Sequence, residues 1–179
     1  MHRILNSKVE SIPHGYGLDL TGDDVRDIPP FNRWGYLPPG VHDACFELVI
    51  QRFATNSVRR NLCQRLQRFL LLVIDSKCYS YAYIGGEITT VEASPKELDV
   101  ILQTRDKYGP DVFRAIEPLL NIGLDAIYEK YSVRLHFWCQ GFPEGIDDFR
   151  DYFQYIRPQE DCPVGIVAGA KRGIVGVKL

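Results

Sequence analysis

The sequence predicts an α+β fold, a small mixed β-sheet packed against helices, from three observations. Short runs rich in aromatic and branched residues occur at Tyr79–Ile84, Leu98–Gln103 and Val133–Cys139, as strands require. Between Val58 and Val73 the apolar residues Val58, Leu62, Leu66, Phe69, Leu70 and Val73 recur every three or four positions, which is the period of a helix with one buried face. The 179 residues suffice for one hydrophobic core and are too few for two comfortable domains.

Residues 1–30 carry Pro13, Gly15, Gly17, Gly22, Pro29 and Pro30 without periodicity, and are expected to form an irregular N-terminal extension to a domain spanning 31–179. Phe31 to Asp43 is dense in turn formers, and Asp43 is a candidate N-cap for a helix running to about Phe53. Asn56 or Ser57 can cap the periodic helix that follows. A further helix is expected over Asp111–Tyr131, kinked or divided at Pro118, whose ring and missing amide oppose a continuous ladder. Ile146–Tyr155 is a short amphipathic candidate, and Val164–Val167 and Gly173–Leu179 are strand-like runs broken by glycine.

Composition narrows the function classes. Apolar content of 45% and charged content of 25% are those of a folded globular chain. A net charge of −2 gives no global field for nucleic acid or an anionic membrane. Five cysteines, odd in number and with no C-x-x-C pair, fit reduced thiols, so a cytoplasmic location is expected. No secretory signal is visible, and Phe69–Ile74 is too short to span a bilayer. His42 and Cys45 lack a second pair of zinc ligands. There is no phosphate-binding loop, dinucleotide fingerprint, nucleophile elbow or DNA-binding motif. Arg52, Arg59, Arg60, Arg65 and Arg68 lie in an acid-free stretch, but those on the helix spread around it, as on a solvated helix.

The chemistry concentrates in Tyr83-Ile84-Gly85-Gly86-Glu87-Ile88-Thr89-Thr90 and Glu97-Leu98-Asp99-Val100-Ile101. Gly85 and Gly86 let a ligand approach the main chain closely. Glu97 and Asp99, two apart on a strand, project from the same side while Leu98 and Val100 enter the core. Two such oxygen donors suit magnesium, which keeps open positions for substrate phosphates.

Ile84-Gly85-Gly86 followed by Glu97-Leu98-Asp99-Val100 resembles the nucleotidyltransferase superfamily that includes DNA polymerase beta, with its apolar-Gly-(Gly/Ser) turn and acid-apolar-acid strand. Leu37-Pro38-Pro39-Gly40-Val41-His42, Pro95 and Arg172-Gly173-Ile174-Val175 extend the resemblance, over residues 31–179, to a small bacterial branch of that superfamily. The resemblance implies a magnesium- or manganese-dependent protein that transfers a nucleoside monophosphate from an NTP to a hydroxyl of RNA, protein or a small molecule. Glu97 and Asp99 would hold the metal, and Gly85, Gly86, Glu87 and Arg172 would surround the nucleotide. A toxin–antitoxin or phage-defence setting is also implied.

The chain departs from that pattern where chemistry should sit. Glu87 replaces the branch's serine, where a buried acid would repel polyphosphate, although aligning Gly85-Gly86 with the superfamily's turn moves Glu87 one place beyond it. Glu97 replaces an aspartate, and the strand that should supply a third carboxylate offers Arg134 and His136. His136 is either a base or a structural group, and Asp147 and Asp148 read as a helix N-terminus. The alternative is therefore a degenerate member of the fold, a pseudoenzyme binding or assembling with a protein partner.

Overall fold

Asn56 starts the longest helix. In the computed structural model, which describes residues 27–143, 148–156 and 169–179, its side-chain oxygen accepts the Arg59 amide at 2.9 Å. The helix it caps follows a strand β1 (Gly40–Asp43) and a helix α1 (Phe46–Phe53), and itself forms α2 (Ser57–Ile74). Then come β2 (Tyr79–Gly85), a single 3₁₀ turn over Gly86–Thr89, β3 (Leu98–Thr104), α3 (Pro110–Ile122) and α4 (Leu124–Tyr131). The chain continues through β4 (Val133–Trp138), the one-turn α5 (Phe149–Tyr152) and β5 (Gly173–Lys178).

The architecture is α+β, with one mixed sheet in the order β1-β5-β2-β3-β4. β3 lies antiparallel to β2 and parallel to β4, while β5 inserts antiparallel to β2 and parallel to β1. Alternation along the strands separates two faces. Leu98, Val100, Leu102, Val133, Leu135, Val175 and Val177 join Leu66, Phe69 and Leu70 of α2 in the main core. The other face carries Tyr83, Ile101 and Ile174, covered by Phe153 just beyond α5. Burial of each large apolar side chain contributes about 1.5–3 kcal/mol, so the sheet's helix-covered face anchors the fold.

Several expectations are corrected. Asp43 ends β1 instead of capping a helix: its segment pairs with β5, the Ala44 amide bonds Gly176 O at 2.9 Å, and α1 begins after Cys45, whose side chain makes no capping bond. The helix over 110–131 divides at Gly123, with φ +93°, and Pro118 stays inside α3. Position 118 faces solvent, where water can serve the carbonyl that proline leaves unbonded. Val58 is exposed and lies off the buried stripe. Of the helix expected over 146–155, α5 is the helical part, while Ile146, Asp147 and the run Val164–Val167 lie outside the described residues.

Arg60 and Arg68 are exposed, as on a solvated helix, but Arg59 is not. It is 3% exposed, and its Nε donates to Phe53 O at 2.7 Å, its Nη1 to Thr90 O and Glu92 O at 3.2 and 2.6 Å, and its Nη2 to Ile88 O. One guanidinium thus ties the end of α1 and the start of α2 to the segment that follows the glycine turn. Burial lowers its pKa, and the carbonyl bonds retain the charge.

Candidate functional site

β2 ends where Gly85 stands in register with Asp99 of β3. The chain then turns sharply at Gly86, with φ +79°, a region open to glycine and strained for other residues. A Cβ there would overlap Asp99 Oδ2 and lie 3.2 Å from Asp99 Cγ, so the turn packs directly on the carboxylate. Thr89 Oγ1 donates to Gly86 O at 2.9 Å and Thr90 Oγ1 to Glu87 O at 2.8 Å, which stiffens the turn. The glycine pair and the second acid therefore meet, as the motif spacing predicts.

Glu87 is exposed, not buried, and its Oε2 accepts the Lys96 amide at 3.0 Å. It braces the approach to β3. Glu97, immediately before β3, lies 2.8 and 2.9 Å from Arg134 Nη2 through its two carboxylate oxygens. Arg134 is the β4 residue in register with Asp99, so Glu97 and Asp99 share one face of the sheet. Asp99 is 9% exposed, and His136 Nε2 stands 4.0 Å from its Oδ1.

His136 sits beneath α5, its ring 4.4 Å from that of Phe149 and 5.0 Å from that of Phe153. Phe153 also lies over Gly85, where an added Cβ would stand 3.4 Å from Phe153 Cβ. Arg172 pins the same segment, its Nε donating to Phe153 O at 3.0 Å and its amide to Gln154 O at 2.7 Å. Phe153 is the link from Arg172 to the turn. Asp148 caps α5 by accepting the Arg150 amide at 2.9 Å, in keeping with its expected helix-terminal role, while Asp147 lies outside the described residues. Burial would raise the Asp148 carboxyl, but its bonds to Arg150 outweigh that and hold it below the usual carboxylate range.

Among the described residues no group of three or more His, Cys, Asp or Glu side chains is placed to hold a metal. Magnesium commonly takes one or two carboxylates and completes its shell with water and substrate phosphate, so Glu97 and Asp99 fit that mode. The competing Arg134–Glu97 pair is exposed on the arginine side, at 59%, and is worth at most about 1 kcal/mol, too little to withhold Glu97 from a divalent ion.

Three features of the site escaped sequence reading: Arg134 on Glu97, the aromatic cover from α5, and Arg59 behind the turn. Only the first had a local signal, since Arg134 occupies the strand position where an acid was sought.

The fold and site define a small α+β protein with an acidic pair beside a glycine turn. Residues 29–175 match a family described as "Family of unknown function (DUF6932)", and the chain belongs to that family. Comparison with curated proteins and with solved structures finds no match.

Proposed function

We propose that the chain is a nucleotidyltransferase-like protein that binds a nucleoside triphosphate with a divalent cation at the Gly85-Gly86 turn. The observation that carries this reading is the packing of Gly86 on Asp99, with Glu97 on the same sheet face. The antiparallel β2–β3 and parallel β3–β4 pairings support it, because they bring the turn, both acids and His136 to one end of one face.

In this reading the turn at Gly86 presents main chain to the phosphates, with Gly85 held beneath Phe153, while Asp99 and Glu97 hold the cation. A bound magnesium or manganese ion supplies charge neutralisation at the phosphates. The acceptor hydroxyl would attack the α-phosphorus, pyrophosphate would leave, and His136 beside Asp99 would take the proton at Nε2 in place of a third carboxylate.

A second reading is favoured by Arg134 on Glu97: the same cleft serves binding or assembly with a protein partner and transfers nothing. Calorimetric titration of ATP, GTP, CTP and UTP with magnesium into the wild type and Asp99→Asn separates the two. Magnesium-dependent binding lost in the variant supports the first reading. Absence of binding to any triphosphate overturns it.

A further inference from the structure

A second site lies on the same sheet face, further along the strands from Asp99: it begins at Tyr83, in register with Ile101, and reaches Gln103. It is a groove of about 550 Å³ bounded by β1, β2, β3 and the α5 segment, in the size range of small-molecule sites. Gly176 on β5 lets Asp43 settle over it: a Cβ there would stand 2.6 Å from Asp43 Oδ1 and 3.5 Å from Tyr83 Cε1. The absent side chain leaves a space where the Asp43 carboxylate, at the end of β1, meets the edge of the Tyr83 ring.

The walls have a definite chemistry. Tyr81 and Tyr83 stack with centroids 5.6 Å apart and planes 10° apart. Tyr83 Oη donates to Gln103 Oε1 at 2.7 Å, which fixes that ring. Three carboxylates line the groove against one guanidinium, that of Arg150. The Arg150 guanidinium is bonded to Asp148 at 2.7 and 3.1 Å, lies 3.3 Å from the Trp138 ring centroid and stands 5.6 Å from the Tyr83 ring centroid, so Tyr81 is the ring left to a ligand. Asp43 is exposed and has no hydrogen bond or ion pair among the described residues. The Tyr81 ring, fixed by its stack on Tyr83, beside a carboxylate without a counter-charge is the arrangement that holds a cation, by ring quadrupole and Coulomb attraction together.

We propose that this groove binds a small organic amine or guanidine, with Asp43 as its counter-charge and the Tyr81 ring as its packing surface. Asp148 is paired with Arg150 and Asp151 with Lys171, 3.8 Å away, so Asp43 is the carboxylate left to a ligand; it disfavours anions, and an uncharged ligand would leave it unused. The site does not depend on the triphosphate reading, since Gly85, Gly86, Glu97 and Asp99 are not among its lining residues, Tyr83 being the one that lies two residues before the turn.

The test titrates agmatine, spermidine and uncharged 1,4-butanediol into the full chain by calorimetry. Saturable binding of an amine and none of the diol is expected. Binding should weaken about five-fold in Asp43→Asn and about five-fold in Tyr81→Leu. Gly176→Ala, which displaces only the end of an exposed aspartate and crowds Val41, should also weaken it, with circular dichroism reporting the fold of each variant. Asp99→Asn should leave amine binding unchanged, so failure of the triphosphate site and failure of this one are told apart. No amine binding, equal binding of the diol, or an Asp43→Asn affinity equal to wild type would overturn the proposal.

Discussion

A single guanidinium nitrogen, Arg134 Nη2, spans both carboxylate oxygens of Glu97, at 2.8 and 2.9 Å. That contact is the local competitor of any cation at the acidic pair.

Removing it should therefore favour the metal. Arg134→Ala is expected to change stability by less than about 1 kcal/mol, because the arginine is mostly exposed. It should strengthen magnesium-dependent triphosphate binding several-fold, as read by calorimetry. Weaker binding in Arg134→Ala would instead make the arginine a phosphate contact.

Gly86→Ala carries two costs, the left-handed backbone and the overlap with Asp99. The backbone alone costs about 1–2 kcal/mol, so the denaturant midpoint should fall and triphosphate binding should be lost. Gly85→Ala is the control: its Cβ would meet Phe153 and Ile174 at 3.4 and 3.5 Å, ordinary contact distances, and the loss should be smaller.

Arg59→Leu should be the most destabilising of these changes. The carbonyls of Phe53, Ile88, Thr90 and Glu92 all lose a donor, and each buried orphan costs about 1–3 kcal/mol. Arg59→Lys should rescue little, because an ammonium cannot reproduce the planar fork. Urea denaturation reads both.

Burial pushes the Cys63 thiol up from 9.0 to about 11. Between those values the unfolded chain has released the proton and the native chain keeps it, so stability must fall as pH rises from 9 to 11. Tyr79, also raised by burial, adds its own loss at higher pH. The pH slope of the urea midpoint should be shallower in Cys63→Ala than in wild type over that window. Equal slopes would show that the thiol ionises freely in the native state.

The fold was legible where the signal is local. β2, β3, β4 and α2 announce themselves through period and composition, and the glycine turn beside Asp99 follows from motif spacing. β1 was not legible: four residues among prolines and glycines become a strand only because residues 173–176 pair with them. Arg59 was misread for the same reason, since three of the carbonyls it binds lie 29–33 residues further on. The α5 aromatics over His136 likewise depend on tertiary docking that no period encodes.

β5 completes the sheet from its interior, between β1 and β2. During synthesis the ribosome therefore releases β1 long before β5, its partner among the described residues, and β2 emerges with one edge bare. Until residues 173–178 appear, that edge is open to pairing with other chains, and closure waits on contacts more than 130 residues apart. A nascent chain arrested before Gly173 should accordingly be caught by chaperones or proteases, whereas one released after Lys178 can close its sheet.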